Sequence, residues 1–554
     1  MATGDLRDKV LANFVTSTTD PIYAVKDTVP IEVFGAFGSY FSRNPKDMRD
    51  HLWGAMTGQI GVDQGDVDEG ALSWLAEGDF RNPADALNAG LGKAHDFFTK
   101  WYGRYSHKSI ANMVPVRMVG TGVSQLFARE LAYDQLAFFI EQSTRFVEFD
   151  TANMFQDPDI MAGMHAETYM NALQTLGDAY HSFRELASEH FKRETPFEAW
   201  RESQNDKVRA SSEKSQRRAY KLQIDGKTFD VARLMLPQAT RTNIAWIVDA
   251  RSLEHDISAW KGHPLKEMRD AAEMIEKNAG MVVPSLLKRT DKSEYYARKL
   301  EGYGGDLPNV ELGRKFSKGV DIISSDPDAL TKAVTHILHR HNFGGTFRQR
   351  YAQVEGMPFK EKIDILRMVV KGREVYDEWV EMDEEFDMGK ISFEIRSDVG
   401  AIRDWRRHQN WDRSEPLYTL DNGFYLPDTI KNMGPRAEQI FVDAMNSAHE
   451  AEVKIGADHP EQAQLVVPMA AKHTIAMSGG LDQLQYMLWT RTTPHGHFSY
   501  REDAFNLAEE AIKVHPWLLG YEKLPGGKSL ETLCEEAPLK GLLNLRLEDT
   551  GFHA

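Results

Sequence analysis

The chain carries the same pattern twice. Asp230-Val-Ala-Arg-Leu-Met-Leu-Pro237 and Glu461-Gln-Ala-Gln-Leu-Val-Val-Pro468 each follow a long helical stretch. A constant offset of 231 residues relates Pro237 to Pro468 and Leu253 to Leu484 without a gap. Upstream, Ala128-Arg129-Glu130-Leu131 matches Ile402-Arg403-Asp404-Trp405, each preceded by a strand-like run, Met113 to Met118 and Ile391 to Ile395. Two diverged copies of one domain explain this order better than the three or four unrelated domains that the length allows at roughly 150 residues each. The boundary is expected in the Gly- and Asp-rich stretch around Gly302 to Asp326. That gives a first copy over residues 1–300, a linker over 301–325, and a second copy with a C-terminal tail over 326–554. Each copy is expected to be α+β, a twisted sheet packed by long helices.

Local patterns fill in part of this frame. Apolar residues recur at helical spacing from Asp85 to Arg104, and a hydrophobic run predicts a helix over about Val123 to Phe138. A long amphipathic helix is predicted over about Ala166 to Lys192, with Met170, Leu173, Leu176, Tyr180, Phe183 and Leu186 on one face. The polar stretch Thr195 to Lys227 reads as an insertion, and the charges of Ser211 to Arg218 read as a solvated face.

Charge narrows the classes of partner. Lys and Arg number 66 against 83 Asp and Glu, a net charge of −17, which disfavours a nucleic-acid binder that relies on net charge. A local basic pocket for a small phosphorylated ligand remains open. A single cysteine, Cys534, excludes an internal disulfide framework. The first residues lack the apolar run of a signal peptide and no apolar stretch reaches membrane-spanning length, so a soluble, cytoplasmic protein is expected.

Several familiar motifs fail. Gly120-Thr-Gly122 lacks the third glycine of a dinucleotide fingerprint, and Gly527-Lys528-Ser529 has Glu522 where a phosphate loop needs glycine. His336-Ile-Leu-His339-Arg-His341 and His495-Gly-His497 lack carboxylate or Cys partners at fixed spacing, so no metal is expected. Glu535 and Glu536 would raise the pKa of Cys534, which makes it a poor nucleophile. Two clusters stand out instead. Glu141-Gln-Ser143-Thr144-Arg145-Phe146 offers acceptors for an imide or sugar and donors for a phosphate, or else an ordinary helix end with a salt bridge. Arg403-Asp-Trp405-Arg-Arg407-His408-Gln409 offers guanidinium groups for an anionic, planar ligand, or else a solvated basic face.

Taken together, these residues resemble the flavin-dependent thymidylate synthases. That family's hallmark is Arg-His-Arg followed by Ser-x-Arg-Tyr. A Leu-Pro strand, an Asn-Ala-Arg-Ser-Leu helix, and an Arg followed four residues later by His come after it. The first copy shows Ser106-His107, Ala128-Arg129-Glu130, Glu141-Gln-Ser143-Thr-Arg145-Phe146, Leu236-Pro237 and Asp249-Ala-Arg251-Ser-Leu253. The second shows Arg403 to Gln409, Leu426-Pro427, Val467-Pro468 and Arg491-Thr-Thr-Pro-His495. The likeness covers about Lys26 to Leu287 and Lys371 to Tyr521. The Arg-His-Arg positions read Tyr133-Asp134-Gln135 in the first copy, and the Ser-x-Arg-Tyr positions of the second contain Pro416-Leu417-Tyr418. Neither copy is complete.

The resemblance implies reductive methylation of dUMP to dTMP with FAD, NADPH and methylenetetrahydrofolate. Glu141, Ser143, Thr144, Arg145 and Arg491 would bind the nucleotide. His107, Arg251, Arg403, Trp405, Arg407, His408, Gln409 and His495 would hold the flavin. Arg491, Arg407 and Ser143 would carry the catalytic roles. Family members are homotetramers with shared sites, so a homodimer of this duplicated chain is expected, with specialised halves and two of four ancestral sites decayed. Two readings compete: flavin-dependent alkylation or hydroxymethylation of another pyrimidine nucleotide, and a non-catalytic flavin- or nucleotide-binding assembly.

Overall fold

In the computed structural model, the described residues are 3–21, 23–26, 28–29, 31–40, 47–56, 108–302, 316–342, 344–369, 387–492, 496–515, 517, 523–524 and 528–529. The elements that matter for the site begin with β1 (Pro115–Ser124), α1 (Gln125–Leu131), β2 (Ala137–Glu141), α2 (Ala166–Glu194), α3 (Glu213–Ala232), β3 (Arg241–Asp249), α4 (Ala250–Trp260) and α5 (Lys266–Val282). They continue with β4 (Gly319–Ser325), α6 (Ala329–His341), β5 (Lys390–Asp398), α7 (Val399–Trp405), β6 (Asp412–Ser414), α8 (Pro435–Gly456), β7 (Lys472–Gly480), α9 (Leu481–Thr492) and α10 (Phe498–Val514). This is the expected α+β mixture of helices and antiparallel sheet.

Contacts divide the chain into two units. One comprises Met1–Thr121, Leu136–Glu141 and Asn243–Val310; the other comprises Gly122–Gln135, Gln142–Thr242 and Glu311–Ala554. The first is built on a three-stranded sheet of order β1-β3-β2, with β2 antiparallel to β3. Asp249 ends β3 and caps α4, accepting from the backbone N–H groups of Arg251 and Ser252. Along α4, Leu253, Ile257 and Trp260 recur at helical spacing and are buried, as are Met268, Ala272 and Ile275 on α5.

The second unit contains a four-stranded sheet of order β4-β5-β7-β6, with each neighbouring pair antiparallel. Its core joins Ile391, Phe393 and Ile395 of β5, Ile475 and Met477 of β7, Trp405, Trp411, and the inward faces of α6, α9 and α10. The long helices α2, α3 and α8 belong to the same unit. On α2, Leu173, Leu176, Tyr180 and Phe183 are buried as the spacing predicts, while Met170 and Leu186 flank them half-buried.

The duplication is visible in the strands. The order β5-β7-β6 repeats β1-β3-β2, and β4 is an addition at the edge. Phe138 pairs with Ile247, and the residues an offset of 274 and 231 further on, Asp412 and Ser478, pair with each other. In the second unit the Leu236-Pro237 and Val467-Pro468 segments meet: Pro237 and Pro468 face one another in an antiparallel bridge. The N–H of Gln238 donates to the carbonyl of Val467 at 3.1 Å, and that of Met469 to Leu236 at 3.0 Å. Ala239 to Leu465 at 2.8 Å and Ala470 to Leu234 at 3.0 Å form the next pair outward. Each bond becomes its partner when 231 residues are added or subtracted, so a local two-fold axis passes between the prolines.

Two local expectations are corrected. The run Val123 to Phe138 is not one helix: Ser124 caps α1, which ends at Leu131, and Ala137 begins β2. Phe138, Phe139 and Ile140 suit a pleated strand, and pairing with β3 overrides helical periodicity. In the stretch Thr195 to Lys227 the charged side chains Glu213, Lys214, Arg217 and Arg218 are exposed, as expected, but the segment is also packed into the unit. Ser212 caps α3, whose Gln216, Gln223, Lys227 and Thr228 are buried, and the Trp200 indole N–H donates to the Gln223 side chain. Gln216 and Gln223 face inward because they find partners, Gln216 Nε2 donating to the backbone carbonyls of Val208, Arg209 and Ser211. The helix expected over Asp85 to Arg104 lies outside the described residues. Within the stretch Gly302 to Asp326, residues 303–315 also lie outside them, and Gly319–Ser325 form β4.

Candidate active site

Two segments from different copies meet within the second unit. The loop after β2 carries Gln142 to Phe146. The end of α7 and the turn after it carry Arg403 to Gln409. Asp398 starts α7 by accepting from the N–H of Ala401, which fixes where the arginines emerge. Arg403 then donates through Nη1 to Thr144 Oγ1 at 3.1 Å and through Nη2 to the carbonyl of Gln142 at 3.3 Å. The loop is tightened locally, since the N–H of Arg145 donates to Ser143 Oγ at 3.2 Å.

Arg145 is largely buried, and its Nε donates to Asp230 Oδ1 on α3 at 2.8 Å. Burial opposes its charge, but Asp230 and then Tyr500 outweigh burial and raise its pKa above the ordinary arginine value. The carbonyl of Asp230 lies 3.1 Å from His497 Nε2, at the start of α10. Asp404 is buried with Arg233 Nη2 at 3.7 Å and Arg407 Nε at 3.8 Å. Burial works against the ionised carboxyl, yet Arg407, Arg233, Arg491 and Arg145 hold its pKa at about 2.

His408 sits where the α9 arginine ends. Arg491 Nε donates to His408 Nε2 at 2.9 Å, so that nitrogen offers a lone pair and the imidazole is neutral. Burial, then the charge of Arg491, drives its pKa well below the usual histidine range. The Arg491 guanidinium also lies 5.2 Å from the ring centre of Tyr500.

Five guanidinium groups (Arg145, Arg233, Arg403, Arg407 and Arg491) therefore gather with three carboxylates, Asp230, Asp404 and, beside Arg233, Asp398. That surplus of fixed positive charge, beside two hydroxyls and a neutral imidazole, suits a dianionic phosphate and a polar ring.

Behind the cluster, Trp405 is fully buried and its Nε1–H points to Asp503 Oδ2 at 3.4 Å. Burial lifts the Asp503 pKa to about 7 against the pull of Lys318, whose Nζ lies 3.6 Å from Oδ1. A carboxyl whose folded pKa exceeds its unfolded value of about 3.9 contributes stability while protonated, and that contribution is lost as pH rises through 7. Asp503→Asn removes this dependence. Relative to wild type, the variant is expected to be more stable at pH 8 than at pH 5 by about 2–3 kcal/mol, read from urea unfolding at both pH values. An equal difference at the two pH values would show that Asp503 is ionised throughout.

Of the residues singled out from sequence, Ser143, Thr144, Arg145, Arg403, Arg407, His408 and Arg491 come together here. Gln409 turns aside and donates to the carbonyl of Asp134 at 3.3 Å. Trp405 is in the core. Glu141 ends β2 and Arg251 begins α4, both in the first unit, where Arg251 donates to Asn112 Oδ1 at 3.3 Å. His107 and His495 lie outside the described residues. Sequence reasoning missed Asp230, Arg233, Asp404 and Tyr500. The signal for two of them was present, because Asp230 and Arg233 stand in the repeated Leu-Pro motif where the second copy has Glu461 and Gln464. Among the described residues no group of three or more His, Cys, Asp or Glu could hold a metal ion, and no helix is long and apolar enough to cross a membrane.

Comparison with known proteins follows the repeat. The family model described as thymidylate synthase complementing protein matches residues 71–285 and again residues 323–517. A UPF0159 protein of Chlamydia muridarum is 24% identical over 522 residues, covering 91% of this chain and 92% of the relative. A flavin-dependent thymidylate synthase of Pseudothermotoga lettingae is 26% identical over 143 residues, 23% of this chain and 63% of that protein. Among solved structures, a UMP/dUMP methylase from Streptomyces cacaoi aligns with 15% identity and a TM-score of 0.28, over 37% of this chain and 95% of that one. Two matches of one model, together spanning well over half the residues, make this chain a member of the thymidylate synthase complementing protein family that carries the family domain in two copies.

Proposed function

We propose that the chain is a flavin-dependent methylase of a pyrimidine nucleotide, and that its reaction is the reductive methylation of dUMP to dTMP. The observation that carries this reading is the meeting of Ser143-Thr144-Arg145 with Arg403, Arg407, His408 and Arg491 in one cluster with excess positive charge. Arg145 and Arg491 hold the phosphate and the charge that develops on the uracil ring, where desolvated guanidinium groups act more strongly than in water. Ser143 and Thr144 offer hydroxyls to the nucleotide. His408, kept neutral by burial and by Arg491, spends its Nε2 lone pair on Arg491 and offers its other ring N–H as a donor without adding charge.

The residues also fit a flavin. Arg407 leaves 46% of its side chain exposed and meets Asp404 only at 3.8 Å, so its donors are open to a pyrophosphate or ring edge. A bound FAD supplies redox chemistry recharged by NADPH, while methylenetetrahydrofolate brings the one-carbon unit. Arg407→Ala is expected to weaken FAD binding about ten- to hundredfold, the cost of losing a charge-assisted hydrogen bond. Asp134→Ala, at the position of the other copy that corresponds to His408, should leave it unchanged. Fluorescence titration of flavin into both variants makes the comparison, and unaltered affinity in Arg407→Ala removes the second copy from the cofactor site.

The direct test starts with the absorption spectrum of the purified protein and the mass of any released cofactor. Anaerobic reduction, then addition of dUMP and methylenetetrahydrofolate, should yield a nucleotide heavier by one methyl group. A hydroxymethyl or larger adduct would reassign the reaction to another pyrimidine modification, and bound flavin without product would indicate a binding assembly. The reading extends to a cytoplasmic homodimer of chains whose copies occupy residues 1–300 and 326–554. Light scattering at micromolar concentration tests the assembly, and a stable monomer would count against it.

A further inference from the structure

The repeat that builds the cluster around Arg145 also defines its mate. The offsets of 231 and 274 residues set Thr419 against Arg145, Gln464 against Arg233, Tyr133 against Arg407, and Trp260 against Arg491. Four of five guanidinium groups are thus replaced by neutral side chains, and only Arg129, the equivalent of Arg403, is kept.

That remaining arginine is used internally. Arg129 donates through Nη1 to Gln464 Oε1 and through Nη2 to the carbonyl of Pro416, both at 2.8 Å. The second bond repeats the one from Arg403 to Gln142, 274 residues earlier. The Tyr418 ring, standing where the first copy has Thr144, covers the Arg129 guanidinium with its centre 4.2 Å away. Arg406, which replaces Ala132, grips Glu415 with Nε to Oε1 at 2.9 Å and Nη2 to Oε2 at 2.8 Å. The same Nη2 donates to Tyr418 Oη at 2.6 Å, and His473 Nε2 lies 3.5 Å from Glu415 Oε2. Glu415 has no exposed side-chain surface, and Arg406 retains 5%. At the Arg145 cluster, by contrast, Arg407 stands half open.

We infer that this mate position is closed by its own side chains, with Glu415 acting as a built-in anion for Arg406 and Tyr418 as the plug, so that each chain binds a single nucleotide. The stoichiometry rests on the nucleotide reading of the Arg145 cluster; the closure does not. Calorimetric titration of the purified full chain with dUMP should saturate at about one nucleotide per chain. Two per chain overturns the closure and leaves that reading intact. No binding sinks the nucleotide reading, and the closure then stands or falls on a second measurement that needs no nucleotide. Glu415→Ala removes the built-in carboxylate, and formate can take its place. Formate is expected to raise the melting temperature of Glu415→Ala by several degrees over chloride at equal ionic strength, with no such gain for wild type. If the variant is poorly soluble, its refolding yield in formate against chloride reads the same effect. An equal response of variant and wild type overturns the closure.

Discussion

Arg145→Ala is expected to abolish product formation and to weaken nucleotide binding about ten- to hundredfold, from the loss of one charge-assisted contact. The same change removes the guanidinium that donates to Asp230 Oδ1 at 2.8 Å, and that carboxylate is only 3% exposed. Breaking a buried ion pair by removing one member costs on the order of 3–5 kcal/mol, so Arg145→Ala alone confounds binding with folding. The double variant Arg145→Ala, Asp230→Asn separates them by restoring a neutral interior while leaving the guanidinium absent. Arg491→Ala offers an independent check, since its side-chain partner His408 is neutral and is left with no stranded charge. Both variants should unfold cooperatively near the wild-type midpoint and lose nucleotide affinity. If affinity survives in both, the cluster is a structural ion network and the phosphate binds elsewhere.

Glu415→Ala is expected to cost about 3–5 kcal/mol of stability. Arg406 and Arg129 would then lie buried with no carboxylate between them. Burial opposes ionisation of Glu415, but Arg406, His473 and Arg129 hold its pKa far below the ordinary carboxylate range. A carboxyl with a depressed folded pKa stabilises at neutral pH and loses that contribution as pH falls below its unfolded value of about 4.3. His473 adds to the same trend from higher pH. Burial drops its pKa to about 4, so stability declines as pH falls through 6.5 towards 4. Urea midpoints for wild type and variant at pH 7 measure the loss directly. A difference below about 1 kcal/mol would place this pair among ion pairs that contribute little.

The sequence made the duplication legible because a fixed offset survives divergence of the side chains it relates. Leu253 and Leu484 keep their register, and both copies pair their strands in the same order. The motif loops drew notice for a chemical reason, hydroxyls and arginines packed into six or seven residues, but a helix-end salt bridge or a solvated basic face explained them as well, and the family resemblance singled them out. What was hidden is long-range. Nothing near Arg145 in the chain predicts Asp230 as its partner, 85 residues away, and Asp404 reads as a helix-face acid until Arg233 is seen beside it. The run Val123 to Phe138 misled for the converse reason, since its apolar content is equally satisfied by a strand once β3 lies alongside. Trp405 was selected for its flat ring, and the core claims that ring instead.

The bridge between Pro237 and Pro468 bears on how such a chain can change over generations. When two identical subunits pair about an axis, a mutation at any position lands on both sides at once, so a residue that blocks one pocket blocks its image. With both partners encoded in tandem, the axis persists in the backbone bonds at the prolines while the two sides are inherited separately. Tyr418 can fill one side without Thr144 changing, and Arg406 can arise opposite an unaltered Ala132. Joining the copies end to end thus gives mutation a freedom that symmetry withholds from paired identical chains: one side can be committed to holding the architecture while the other keeps its opening.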